Sequence, residues 1–415
     1  MHYFDIKDGE MYCEDVPLSR IAEEVGTPAY IYSKRTLTRH FNAFEDSFSS
    51  TDHVVCYSVK ANSNLSILKF FAEKGSGFDI VSGGELYRVL KAGGDPAKVV
   101  YSGVGKKREE IEASLEAGIM MFSTESFQEL EEIDRVAGSM GKRAPIALRI
   151  NPDVDAKTHP YITTGMKQNK FGIDISLAFD GYRSARSLSH VDPIGVTCHI
   201  GSQLTETSPF VDSLIKLKAL VENLRNDGFD IRYLDLGGGL GITYFDEQPP
   251  HPTDYAEALK KELKDFDITL VFEPGRVIVG NAGILLLRVL YTKDTPEKHF
   301  VIVDGGMNDL IRPSLYDAYH EIRPVKQLSR DLRKADLVGP ICESGDFFAK
   351  DRMMSDFVPN DLVAVMSAGA YSFSMASNYN SRPKALEVMV DGSDYKIIRK
   401  RETNHDMVEL ELPLE

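Results

Sequence analysis

A lysine closes the largely apolar run in "HVVCYSVKANSN" (53–64), and both its type and its place raise a chemical question. Burying an ammonium costs free energy, so Lys60 reads either as a solvated charge at a strand end or as an amine kept for chemistry. Such an amine condenses with carbonyl groups, which gives it a use in covalent catalysis. Other reactive groups stand near the ends of comparable runs. Asp79 lies in "FDIV", Arg149 in "PIALRI" and His199 in "PIGVTCHI"; Glu273 ends "ITLVFE" and opens "EPGR", which carries Gly275 and Arg276. Taken singly, His199 also fits a hydrogen-bonded core histidine. The run "IRYLDL" leads into "GGGLG" (237–241). Glycines let backbone approach a ligand closely, and unpaired N–H groups at a helix start suit a phosphate.

The runs that carry these groups recur with helical patterns between them. They occupy 54–59, 78–81, 99–103, 119–124, 145–150, 193–200, 231–236 and 268–273, and amphipathic segments such as 83–94, 106–118 and 125–140 separate them. About eight alternating units predict an α/β fold, a closed (β/α)8 TIM-type barrel, over residues 26–280. An open doubly wound sheet is the alternative, but no GxGxxG turn follows the first run. Barrel active sites lie at the C-terminal ends of the strands, so the reactive groups would gather on one rim. The loops after the seventh and eighth strands commonly hold a phosphate there, and "GGGLG" and "EPGR" stand in those two places.

Beyond residue 280 alternation and turn signals replace the long helices, which predicts a mainly antiparallel β-domain over 281–415. The opening residues 1–25 contain a hairpin centred on "KDG" and are expected to add strands to that domain. The apolar stretch "VIVGNAGILLLRVLY" (277–291) is too short to span a bilayer, carries Arg288, and reads as a buried strand or strand pair.

With 42% hydrophobic and 27% charged residues in 415, the chain has material for a sizeable core. A formal net charge of −15 argues against a nucleic-acid or anionic-membrane partner. Cys13, Cys56, Cys198 and Cys342 are widely spaced, so neither a disulfide framework nor a metal site is expected. The polar, acidic N-terminus is unlike a signal peptide, and a reducing cytoplasmic location follows as an expectation.

A strand-end amine, a phosphate cradle and a carboxylate together fit pyridoxal 5'-phosphate. Lys60 would form the Schiff base, Glu273 would keep the pyridine nitrogen protonated, and His199 would lie against the ring. At these residues the sequence resembles the alanine-racemase-like, fold-type III pyridoxal phosphate enzymes, and within them the diaminopimelate decarboxylases. The resemblance rests on "YSVKANSN", "FDIVSGGEL", "TGMKQNKFGI" (164–173), "HIGSQ", "DLGGGLGI", "EPGR", "DGGMNDLIRPSLYDAYH" (304–320), "CESGD" (342–346) and "GAYSFSMASNYNSRPK" (369–384), which cover almost the whole chain in family order.

That resemblance implies decarboxylation of meso-2,6-diaminopimelate to L-lysine and CO2, the last step of lysine biosynthesis. By the same resemblance Asp79, Ser202, Gly238, Gly275 and Tyr371 would join Lys60, His199, Glu273 and Arg276 around the cofactor. Arg276, Arg312, Tyr316 and Tyr371 would bind substrate, Glu343 would meet its distal ammonium, and Cys342 would donate the proton. Family members are homodimers, so each site would take "CESGD" from the partner. Alone, Cys342 also reads as a buried structural thiol, and "RPSLYDAYH" as an ordinary helix start. Related decarboxylases acting on ornithine, arginine or carboxynorspermidine are the nearest rivals, but their substrates lack the distal amino-acid group that Arg276, Arg312 and Glu343 would serve. A racemase would need acid and base groups on both faces of Cα and a weaker electron sink. A non-catalytic pyridoxal phosphate-binding paralogue has no use for both Lys60 and Cys342.

Overall fold

The computed structural model of the chain describes residues 2–154, 170–327 and 329–413, and divides into two compact units. The first six residues of the motif at 164–173 lie outside the described residues.

One unit comprises Asn42–Ile242 and Gln248–Val277. Its strands are β1 (His53–Ser58), β2 (Gly77–Ile80), β3 (Val99–Tyr101), β4 (Met121–Thr124), β5 (Ala144–Asn151), β6 (Val191–Thr197), β7 (Tyr233–Asp235) and β8 (Thr269–Phe272). All pair in parallel, and β8 pairs back onto β1, with Leu270 opposite His53. The sheet is therefore a closed TIM-type barrel, as the eight runs predict. A two-residue strand, Ile173–Asp174, is appended to β5.

Helices Leu65–Glu73, Gly83–Lys91 and Phe127–Ser139 each begin where a cap side chain accepts a backbone N–H: Asn64 that of Ser66, Ser82 that of Glu85 and Ser126 that of Glu129. These caps satisfy amides that have no partner within the helix, and so fix where each strand–helix loop ends.

The period of two along each strand places the chemistry. Cys56, Val100, Met121, Ala147 and Val271 pack in one apolar cluster, with Tyr233 against it. Two residues further along the same strands come Ser58, Ser102, Ser123, Arg149, Glu273 and Asp235. Side chains two apart share a face, so an apolar layer is followed by a polar one at the C-terminal mouth. A hydroxyl contact across the interior, Ser123 to Thr197 at 3.2 Å, belongs to that layer.

The other unit comprises Met1–Phe41, Thr243–Glu247 and Ile278–Glu415. Its main sheet runs in the order Phe347–Ser355, Leu332–Val338, His299–Val303, Gly283–Asp294, Ala29–Ser33, Leu386–Asp391, Asp394–Arg399. The pairings are antiparallel except for two, His299–Val303 with Leu332–Val338 and Ala29–Ser33 with Leu386–Asp391.

The hairpin centred on "KDG" is present. Lys7 faces Glu10 across a two-residue loop in which Asp8 and Gly9 have φ of +50° and +77°. Its strands form a small sheet of their own with Val16–Pro17, rather than extending the main one. They reach this unit by packing, since Phe4, Met11 and Val16 share a core with Ile284, Leu286 and Val388.

The strand that enters the main sheet is Ala29–Ser33, beyond the boundary expected after residue 25. "AYIYS" is buried at every position, so it carries no one-sided alternation that would separate it from a barrel strand. Likewise only the second half of 277–291 is strand. Arg276–Val279 and Gly280–Ala282 are helical turns, which the β-branched composition hides.

Candidate active site

Lys60 sits in a single helical turn, Val59–Ala61, directly after β1. Its side chain is 36% exposed and its Nζ donates to Asp79 Oδ2 at 2.6 Å. The same oxygen receives Ser58 Oγ at 2.8 Å. Asp79 is fully buried, and its other oxygen, Oδ1, has no hydrogen-bond partner among the described residues. Lys60 is therefore not a solvated strand end: its charge rests against a carboxylate inside the barrel mouth.

Glu273, 6% exposed, lies next in this ring, with Ser102 Oγ 3.4 Å from its Oε1. Burial holds its carboxyl well above the ordinary range, and the charges of Asp235 and Asp79 push it the same way. Asp235 is itself fully buried, and burial raises it to about 7 even though Gly237 N–H donates to its Oδ1 at 2.8 Å. Two neighbouring carboxyls that cannot both ionise hold a proton near neutral pH.

His199 is held well below the usual imidazole range by burial and by the cations of Arg149 and Lys60. Gly238 N–H donates to its Nδ1 at 3.2 Å, so the neutral ring carries its proton on Nε2. Arg149 in turn donates from Nη1 to the buried Glu125 at 2.9 Å, and Glu125 also accepts the N–H groups of Gly103 and Gly172 at 3.0 Å each.

The glycine turn is needed at specific atoms. A Cβ on Gly238 would lie 2.3 Å from the Glu273 carbonyl oxygen, and Gly237 has φ +66° with a Cβ position 2.5 Å from the Cys198 carbonyl. The turn is pressed onto the ends of its neighbouring strands, which no side chain allows. Arg276 Nη2 donates to Ser202 Oγ at 3.0 Å, and Gly275 lies under the Lys60 turn, its Cβ position 3.0 Å from the Cβ atoms of Ser58 and Ala61. The structure thus brings Lys60, Asp79, His199, Ser202, Gly238, Glu273, Gly275 and Arg276 together on the barrel unit. Their chemistry fits pyridoxal phosphate: an amine for its aldehyde, a proton-holding carboxyl pair for its ring nitrogen, and a polar glycine turn for its phosphate. Asp79 Oδ1 is an acceptor still to be satisfied.

The remaining expected residues belong to the β-unit. Arg312 and Tyr316 begin and end the short helix Arg312–Tyr316. Arg312 is 6% exposed, and its Nη1 donates to Tyr244 Oη at 2.9 Å and to His320 Nε2 at 3.2 Å, while His320 Nδ1 donates to the Met366 carbonyl at 2.8 Å. Tyr371 occupies the left-handed region, φ +55°, which is rare for an aromatic residue and marks a constrained loop. Cys342 and Glu343 are exposed, and the other three cysteines are buried. Tyr379 Oη lies 3.4 Å from Glu343 Oε2.

Three groups escaped the sequence reading. Asp235 was signalled by its place two residues after the inward Tyr233. Tyr244, which orients Arg312, is distant from it in sequence and carried no such signal, whereas His320, which does the same, closes the motif 304–320 that contains Arg312.

Residues 34–280 match the pyridoxal binding domain of the pyridoxal-dependent decarboxylases. The diaminopimelate decarboxylase of Pseudomonas aeruginosa is 54% identical over 98% of this chain and 98% of its own length. The crystal structure of the Helicobacter pylori diaminopimelate decarboxylase complexed with L-lysine has a TM-score of 0.92 at 43% identity, covering 95% of this chain and 99% of that one. The M. jannaschii diaminopimelate decarboxylase, also with L-lysine, gives 0.94 at 38% identity, covering 99% and 98%. A barrel whose mouth suits pyridoxal phosphate, matched end to end with these proteins, places the chain in the diaminopimelate decarboxylase family of pyridoxal-dependent carboxy-lyases.

Proposed function

We propose that this chain decarboxylates meso-2,6-diaminopimelate to L-lysine and CO2, in the cytoplasm and as a homodimer whose two sites each draw on both subunits. The observation that carries the reading is the polar ring at the barrel mouth, where Lys60 pairs with Asp79 beside the proton-holding Glu273 and Asp235. Bound pyridoxal phosphate supplies an electron sink for the bond pair left on Cα when CO2 departs.

Lys60 is the amine that would hold the cofactor through its aldehyde. Glu273, backed by Asp235, sets the protonation of the group's ring nitrogen. His199, kept neutral, packs as an uncharged face rather than a competing cation. Ser202, Gly238 and the 273–276 backbone would hold the phosphate. Arg276 and Arg312 match the substrate's distal carboxylate, since guanidinium–carboxylate pairing fixes geometry as well as charge. Tyr316 and Tyr371 complete that side, and Glu343 accepts the distal ammonium. Cys342 delivers the proton to Cα, a general-acid role that a thiol can fill. Its exposure in the single chain agrees with service to a partner's site.

Purified protein loaded with pyridoxal phosphate is expected to release CO2 and L-lysine from meso-diaminopimelate. No turnover there, with turnover of ornithine or arginine, would overturn the substrate. Lys60→Ala is expected to abolish the absorbance of the lysine-linked cofactor; survival of that absorbance would refute the anchor.

A further inference from the structure

The turn that carries Cys342 and Glu343 has no helix or strand to hold it, yet it is fixed at named atoms. Asp346, 5% exposed, turns its carboxylate inward beneath the turn. Oδ2 accepts Ile341 N–H at 2.7 Å, one residue before Cys342. Oδ1 accepts Met307 N–H at 2.6 Å, from the segment that leads into the helix of Arg312 and Tyr316. Two glycines make room for this carboxylate. A Cβ on Gly306 would sit 2.9 Å from Oδ1, and one on Gly339 would sit 2.5 Å from Oδ2. The second glycine of "DGGM" and the glycine of "VGPIC" thereby gain a purpose that the cofactor site does not give them. On the other side of the turn, Asn380 Oδ1 accepts the N–H of Cys342 itself at 2.7 Å. Asn380 has φ +58° and ψ +27°, a left-handed conformation that asparagine tolerates better than most residues.

We propose that Asp346 is a positioning residue: its carboxylate ties the proton-donor turn to the segment carrying Arg312 and Tyr316, and Asn380 fixes the orientation of Cys342 within that turn. The inference rests on the roles given above to Cys342 and Arg312. In the step it serves, the S–H bond of Cys342 breaks, its proton forms the new C–H bond at Cα, and the thiolate regains a proton from solvent. A displacement of about 1 Å in such a donor costs up to about 100-fold in rate.

The test uses the cofactor-loaded enzyme and meso-diaminopimelate, with kcat, KM and the solvent deuterium isotope effect measured per cofactor-loaded site. Asp346→Asn leaves one acceptor for two N–H donors and turns an NH2 toward the other, so kcat should fall about 10- to 100-fold and KM should rise. Asn380→Gly keeps the backbone unstrained and removes only the acceptor for Cys342 N–H. It should lower kcat and raise the isotope effect while leaving KM unchanged; Asn380→Asp, which retains an acceptor, should restore most of kcat. If Asp346→Asn does not fold, the Asn380 pair decides. Cys342→Ala separates the two levels of the reading. Loss of kcat in Cys342→Ala with wild-type kcat and isotope effect in Asn380→Gly and Asp346→Asn overturns the positioning role. Unchanged kcat in Cys342→Ala overturns the donor role, and the positioning role with it.

Discussion

Asp235→Asn gives the sharpest test of the barrel's electrostatics, because it removes one of two carboxyls that burial has raised. Aspartate in an unfolded chain titrates near about 3.9. In the folded barrel burial lifts Asp235 to about 7. The native state therefore holds a proton that the unfolded state has released across that interval. Stability from this group is fully present below the unfolded value and is lost as pH rises through the folded one. At about pH 5.5 the remaining separation of about 1.5 units corresponds to about 2 kcal/mol, and by about pH 8.5 nothing remains.

Asparagine keeps an oxygen for Gly237 N–H and cannot titrate. Removing the second charge also relaxes Glu273 downward, which adds to the difference. Denaturant midpoints of the cofactor-free protein, taken between about pH 5.5 and 8.5, should show the wild type losing about 2 kcal/mol more than Asp235→Asn across the range. Other titrating groups are common to both proteins and cancel. Parallel curves, with the same slope in variant and wild type, would refute the argument that burial of Asp235 stores this proton.

Two further outcomes follow from particular contacts. Arg149→Met removes the guanidinium from Glu125, buried and bonded at 2.9 Å, and should destabilise the protein by about 3–5 kcal/mol in chemical denaturation. A loss below about 1 kcal/mol would mean that the pair behaves as a surface one. Lys60→Ala and Cys342→Ala proteins, each inactive, should recover activity when their subunits are exchanged, because one site of a hybrid dimer then contains both residues. No recovery after verified exchange counts against sites shared between subunits.

Much of the barrel was legible because a buried parallel strand is a short continuous apolar run, and each of the expected runs overlaps one of β1 to β8. The site was legible where chemistry stood at a run's end, as with Lys60, His199 and Glu273. It was less so where a function depends on partners from elsewhere in the chain. Arg312 could be picked out by its motif, which also holds His320, yet the Tyr244 that binds its guanidinium comes from another segment. Ala29–Ser33, just past the boundary expected near residue 25, was not legible as a strand of that sheet, because "AYIYS" is buried at every position and its composition does not say which sheet it joins.

Asp235 is the instructive omission. "YLDLGGG" was read for its glycines, while the inward register that makes Glu273 follow Val271 also makes Asp235 follow Tyr233. Once the barrel is accepted, the residue two beyond each inward apolar position is committed to the mouth by the pleat alone. Applied to β3 and β7, that rule yields Ser102 and Asp235, the two side chains that the structure sets against Glu273. The proton held at the mouth is thus a property of strand register, and the sequence contains it before any contact is measured.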